Sequence, residues 1–238
     1  VTHSLKITQP QDDSVVKYST KFNQEVLFRR SRGYAPNFFN ASISSNHKIL
    51  AMGAHLKSTI AFYPNEYLYI SQYLGNLDNF NVYTRFTKTT QTLIKLFEQQ
   101  PNVILTGKHN GYHSTQYGKE LANKYNANIT KIQHHKAHFT AILGEHNLFK
   151  NKVLGVIFDG TGFGDDGAIW GGEFLKYENK AINRVNHLTY FNWLFADKMA
   201  KEPRLSLLSL ASDNIIESIS YKFSKSELKT YTTLKKQN

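Results

Sequence analysis

Cysteine is absent from all 238 residues, which removes disulfides, thiolate metal ligands and a cysteine nucleophile from the chain's chemistry. Acidic residues are scarce beside basic ones, 18 Asp and Glu against 29 Lys and Arg, leaving a formal net charge of +11. A basic face of that kind attracts RNA and other anions. Here, however, the lysines are spread along the chain, with only a modest cluster at Lys222, Lys225, Lys229, Lys235 and Lys236. No arginine-rich run and no nucleic-acid module accompanies them, so the excess is read as a compositional bias and nucleic acid is not expected as a partner. No apolar stretch reaches membrane-spanning length and no secretory leader pattern opens the sequence; the expected setting is cytoplasmic, without a membrane partner. What is present is enough length for one or two domains and a hydrophobic fraction of 40% from which to build a core.

The most informative stretch is VLGVIFDGTGFGDDGAIWGGEFL, residues 153–175. Gly162, Gly164 and Gly167 satisfy the dinucleotide spacing, but no helix pattern opens on the last glycine, so the fingerprint fails on context. No Gly-Lys-Ser/Thr follows, which excludes a P-loop, and the carboxylates at 159, 165 and 166 do not alternate as an EF-hand requires. A β-hairpin with a wide glycine-rich turn remains. Its backbone N–H groups can converge on phosphate oxygens without side-chain obstruction, and Asp159, expected at the end of a buried strand over 153–158, is placed to hold a metal or a water. The plainer alternative is a tight hairpin whose glycines only supply positive φ.

Upstream, QHHKAH (133–138) puts His134 and His138 four residues apart, one turn from each other on a helix face. Two imidazoles at that spacing form a divalent-metal half-site. His135 points elsewhere, toward a supporting position or solvent. The zinc-peptidase motif H-E-x-x-H is absent, so the general base of that chemistry is missing. The alternative is a polar helix start that is merely histidine-rich.

Periodicity predicts a mixed α/β fold. Short β-type runs occupy residues 1–40, and the polar segment 37–47 reads as a linker. KILAMG, TIAFYP and YLYISQYLG then predict strands, 80–99 an amphipathic helix, 102–107 a strand, 114–126 a helix, 127–132 a strand and 133–146 the histidine helix. The hairpin follows, with a further strand around 183–192 and a final helix over 203–219.

DDSVV (12–16), RRSRGYAP (29–36), SQYLGNLDN (71–79), QHHKAH and FDGTGFGDDGAIWGGEFL (158–175) occur in this order. The series resembles the middle of HypF, the carbamoyltransferase of [NiFe]-hydrogenase maturation, over nearly the whole chain to about Pro203-Arg204. The resemblance implies that residues 1–40 are the C-terminal part of a YrdC-like domain, 41–47 a linker, and 48–238 the N-terminal part of a TsaD-like domain with an ASKHA (actin/Hsp70-like) α/β fold. It implies ATP-dependent transfer of a carbamoyl group from carbamoyl phosphate, through carbamoyl-adenylate, to the C-terminal cysteine of a HypE-like partner. It also implies Ser14, Arg29, Arg30 and Arg32 in or near the carbamoyl-adenylate pocket, and a divalent metal, zinc or iron, at His134, His138 and Asp159. Gly53 and Lys57, with Gly160, Thr161, Gly162 and Gly164, match the nucleotide-phosphate elements.

The sequence departs from the family pattern in places. GAELKNT is Gly53-Ala54-His55-Leu56-Lys57-Ser58-Thr59, H-P-D-Y is His109-Asn110-Gly111-Tyr112, and Trp193-Leu194-Phe195-Ala196-Asp197 replaces P-G-G-D. The second half of the ASKHA domain is missing, so a fragment, split product or decayed copy is expected, with weak metal binding and little or no activity alone. Two further classes stay open: a tRNA threonylcarbamoyl transferase, which shares the fold and a His-x-x-x-His pair, and a non-catalytic module that docks a maturation partner.

Overall fold

The computed structural model describes residues 4, 7, 9–40, 45–193 and 197–237. The expected linker is therefore described only over 45–47, and 194–196 lie outside the described residues. The chain divides into two compact units, residues 1–150 with 163–166, and residues 151–162 with 167–238.

The first unit opens with a two-stranded antiparallel hairpin, β1 (Val15–Ser19) and β2 (Gln24–Arg29), turned at Asn23 with φ 47°. Asparagine tolerates that left-handed conformation better than most side chains. A six-stranded mixed sheet follows, built from β3 (Phe38–Asn40), β4 (Ile49–Ala51), β5 (Ala61–Tyr63), β6 (Tyr67–Ile70), β7 (Val103–Gly107) and β8 (Asn128–Ile132) in the order β3-β6-β5-β4-β7-β8. The first four are antiparallel neighbours, whereas β4, β7 and β8 run parallel. Part of the polar run 37–47 is thus strand rather than linker: Phe38–Asn40 pairs with Tyr67–Tyr69, and the Phe38 ring meets Tyr67 edge-on at 4.8 Å. A partner strand supplies what the local sequence does not signal.

Three helices accompany this sheet. Helix α1 (Phe80–Leu96) begins at Asn79, whose side chain accepts from the N–H groups of Asn81 and Val82. Helix α2 (His113–Tyr125) ends at Asn126 in the left-handed conformation, φ 51°. Helix α3 (His134–Glu145) begins at Gln133. One core joins Leu50, Met52, Ile60, Phe62, Phe86, Leu93, Ile104 and Leu121. Gly118 lets α2 lie close to the sheet, because a Cβ there would meet Thr106 Cγ2 at 2.6 Å and Met52 Cγ at 3.0 Å.

The second unit carries a three-stranded sheet, β9 (Val153–Phe163), β10 (Ile169–Glu178) and β11 (Ala181–His187), in the order β11-β10-β9. Helices α4 (Asp197–Lys201), α5 (Pro203–Leu210), α6 (Asp213–Ile219) and α7 (Lys225–Gln237) form a small cluster around Met199, Leu205, Leu208, Ile219 and Tyr231. Three expectations are corrected here. The strand at 153–158 is not buried, since Leu154, Val156 and Phe158 are 64, 53 and 69% exposed; β9 is the edge of its sheet, and among the described residues β10 is its one neighbouring strand. The strand expected around 183–192 is Ala181–His187. The helix expected over 203–219 is two helices, because Ala211 is extended (ψ 133°) and Ser212, also extended, precedes a new start at Asp213.

Candidate functional site

The histidine helix is positioned by Gln133, which is 2% exposed and sits between β8 and α3. Its Oε1 accepts from the Lys136 N–H at 2.9 Å, closing the first turn, while its Nε2 donates to the Phe163 carbonyl at 3.2 Å and lies 3.2 Å from His135 Nδ1. His135 is fully buried, so it does not face solvent; it lies against His134, with ring centroids 5.7 Å apart.

His134 and His138 come together as the spacing predicts. Their Nε2 atoms are 3.2 Å apart and the rings meet at 87°. Two nitrogens bound to one tetrahedral zinc at about 2.0–2.1 Å stand roughly 3.3 Å from each other, so the pair fits two ligands of a single ion. Neutral imidazoles suit zinc and iron alike.

Asp159 lies in the second unit. It was expected at the end of a strand but sits within one, because β9 continues to Phe163. The two backbones run close here: a Cβ on Gly171 of β10 would stand 3.0 Å from the Asp159 carbonyl oxygen. Asp159 Oδ1 accepts from the Gly160 N–H at 2.8 Å. Gly160, Thr161 and Gly162 are strand residues, and only Gly164 of the expected phosphate-binding set falls in the turn between β9 and β10.

The turn after β4 holds Gly53 and Lys57. Gly53 has φ +66°, and a Cβ there would meet the Thr59 carbonyl oxygen at 2.0 Å, so only glycine fits. Lys57, also left-handed at φ 50°, is held by a 2.9 Å bond from its N–H to Asn76 Oδ1, and its residue is exposed. His55 contacts Asp78 at 2.9 Å and stacks on Tyr112 at 5.0 Å.

The four residues expected near a carbamoyl-adenylate pocket hold different partners. Ser14 Oγ donates to the Arg32 carbonyl at 2.8 Å and accepts from the Ser31 N–H at 2.9 Å. Arg29 lies over Tyr73, Arg30 over Phe39, and Arg32 pairs with Asp13 at 3.2 Å.

A charged group missed by the sequence reading lies in the first unit. Asp165 accepts from Lys108 at one carboxylate oxygen and from Lys136, at 2.8 Å, at the other. Burial pushes the Asp165 pKa up, but the bonds from the two lysines outweigh it and hold the carboxyl below its ordinary 3.8. Lys136 stood in plain view inside QHHKAH; what hid the group was its partners, 28 and 29 residues away.

Comparison with known proteins now bears on these residues. Residues 44–145 match the HypF Kae1-like domain, and residues 155–238 match the second subdomain of the carbamoyltransferase Kae1-like domain. The carbamoyltransferase HypF of Synechocystis sp. is 37% identical over 210 residues, covering 88% of this chain and 27% of the relative. A probable carbamoyltransferase HypF of Methanocaldococcus jannaschii is 34% identical, over 87% of this chain and 27% of that protein. Among solved structures, full-length HypF in its phosphate- and nucleotide-bound form superposes with a TM-score of 0.83 at 33% identity, covering 95% of this chain and 30% of that one. HypF of T. kodakarensis gives 0.85 at 27% identity, covering 99% and 32%. The chain thus spans about a quarter of the length of the curated relatives named here. Its α/β fold is of the Kae1-like, ASKHA type, and the chain belongs to the HypF family.

Proposed function

We propose that the chain contributes the metal- and nucleotide-handling part of a HypF-type carbamoyltransferase. In this reading carbamoyl phosphate gives up its phosphate and ATP its pyrophosphate as carbamoyl-adenylate forms, and the carbamoyl group then passes to the C-terminal cysteine of a HypE-like protein, with AMP leaving, for cyanide-ligand synthesis. The observation that carries the reading is the His134–His138 pair, Nε2 to Nε2 at 3.2 Å, in a member of the HypF family. A divalent zinc or iron held by these histidines, with Asp159 as a further ligand, would supply Lewis-acid polarisation of the carbamoyl oxygen. Gln133 fixes the start of α3 and hence where His134 and His138 present their nitrogens. Gly53 and Lys57, with Gly160, Thr161, Gly162 and Gly164, receive the nucleotide phosphates on backbone N–H groups and one ammonium. Ser14, Arg29, Arg30 and Arg32 belong to a YrdC-like segment, residues 1–40, joined through 41–47 to the Kae1-like region at 48–238. The acceptor thiol is read as the partner's, which fits a chain without cysteine.

The test combines the chain with ATP, carbamoyl phosphate, a HypE-like acceptor and a polypeptide carrying the remaining HypF regions. Carbamoylation of the acceptor, read by mass spectrometry, is expected with the wild-type chain and lost with His134→Ala or His138→Ala. Equal transfer by those variants contradicts the reading. The chain by itself is expected to turn over little ATP.

A further inference from the structure

The turn between β7 and α2 holds Asn110-Gly111, the one Asn-Gly pair in the sequence, and both residues are exposed. In such a pair the glycine nitrogen can attack the asparagine side-chain carbonyl, because no Cβ stands in its way. The fold surrounds this pair with the groups that the attack needs. Asn110 Oδ1 accepts from two ammonium groups, Lys119 Nζ on α2 and Lys131 Nζ on β8, each at 3.2 Å. Two cationic donors on one amide oxygen draw electrons from Cγ and sit where negative charge gathers when Cγ becomes tetrahedral.

Among the described residues neither lysine has a carboxylate within ion-pair distance, so two positive charges rest on one neutral oxygen. The attacking nitrogen is unencumbered as well: the Gly111 N–H donates to no partner among the described residues. An imidazole lies against the glycine. A Cβ on Gly111 would stand 3.0 Å from His109 Cε1 and 3.4 Å from His109 Nδ1. The same ring stacks on Tyr112 at 4.2 Å, which keeps it beside the turn.

We propose that Asn110-Gly111 is a self-modifying site, at which the fold converts the Asn110 amide into a carboxylate. The Gly111 nitrogen bonds to Asn110 Cγ while His109 takes its proton, and the carbonyl electron pair moves onto Oδ1 beside the two lysines. That pair returns as the Cγ–Nδ2 bond breaks, and ammonia leaves with the proton from the imidazole. A water then opens the resulting succinimide ring to aspartate or isoaspartate. Overall an amide and a water become a carboxylate and an ammonium ion. No metal, nucleotide or partner takes part, so the site stands or falls apart from the carbamoyl-transfer reading. The product gives Lys119 and Lys131 the counter-charge that the amide lacks, and it lowers the net charge of +11 by one.

Peptide mass spectrometry on the full chain, kept folded in warm neutral buffer, tests this by following the fraction of residue 110 that has exchanged its amide for an acid. A free peptide spanning residues 106–115 in the same buffer sets the rate of Asn-Gly chemistry without the fold. The folded wild type is expected to convert at least about tenfold faster than the peptide, an oxyanion effect reduced by exposure. Lys119→Ala/Lys131→Ala should fall back to within about threefold of the peptide, and His109→Gln should convert more slowly than the wild type. A folded chain no faster than the peptide, or either variant converting at the wild-type rate, overturns the proposal. Should the lysine double variant fail to fold by circular dichroism, Lys119→Gln and Lys131→Gln taken singly decide instead. A slower rate in either supports the site, and the wild-type rate in both overturns it.

Discussion

Both units contain a three-stranded antiparallel meander, and the two meet different fates. In the first, β4-β5-β6 continues at its β4 edge into parallel β7 and β8, with α1 and α2 packed in, and Leu50 and Ile104 are completely buried. In the second, among the described residues, β11-β10-β9 ends at β9, and Leu154, Val156 and Phe158 stand more than half exposed on alternate positions. The apolar runs look alike in sequence; what differs is whether a neighbour covers them. Burial is a property of the neighbours as much as of the strand.

The sharpest way to break this comparison is to truncate one phenylalanine in each unit. Phe86, fully buried in the first core, should cost about 3–5 kcal/mol as Phe86→Ala, read by chemical denaturation. Phe158, 69% exposed, should change stability by less than about 0.5 kcal/mol as Phe158→Ala. A large loss at Phe158 would mean that the β9 face is covered in solution.

The second unit nevertheless has one strongly buried feature. Glu173 is 1% exposed, accepts from the Gly171 N–H at 3.1 Å and pairs with Arg184 at 2.6 Å, while the guanidinium lies 4.0 Å from the Trp170 ring centroid. Glu173→Ala removes the arginine's carboxylate partner, leaving it the Tyr190 hydroxyl at 2.7 Å, and should cost about 3 kcal/mol, the low end for a buried pair because Arg184 also keeps 18% exposure. A variant as stable as the wild type would show that the Trp-Gly-Gly-Glu stretch is not a structural tie in this chain.

Acid should act on both units with one sign. Glu227 is held at about 2, first by hydrogen bonds from Arg204 and then by the Ser224 N–H, below its ordinary 4.5. Asp165 is likewise held low in the first unit by its lysines, against the upward push of burial. A carboxyl with a lowered folded-state pKa stabilises above its unfolded value and loses that contribution as pH falls through the folded one. Stability of the helical cluster should therefore decline from about pH 4.5 toward about pH 2, and Arg204→Met should flatten that part of the profile. An unchanged acid profile in the variant would remove Glu227 from the account.

Much of the first unit was legible because its elements carry their own signals. The apolar spacing of Phe86, Leu93 and Ile94 marks α1, and the four-residue spacing of His134 and His138 foretold their contact. The misses have local causes. Phe38–Asn40 becomes a strand through pairing with residues nearly 30 positions away. The glycines of β9 suggested a loop, whereas β9 pairs with β10 and runs on to Phe163, with Gly171 of β10 beside Asp159 and Gly160. Helix α7 was overlooked although Ser224 and Glu227 form a capping box, with Ser224 N–H to Glu227 Oε2 at 2.9 Å and Glu227 N–H to Ser224 Oγ at 3.2 Å. That Ser-x-x-Glu spacing was readable. The Lys108–Asp165–Lys136 group was not, since only the fold brings its three members together.

The central claim is that the His134–His138 pair is half of a divalent-metal site. Zinc titration of the full chain against a chromophoric chelator tests it most directly. The account predicts one zinc per chain for the wild type, and affinity reduced by at least about tenfold in His134→Ala and in His138→Ala with secondary structure unchanged by circular dichroism. Zinc binding that is equal in the wild type and both variants would contradict it.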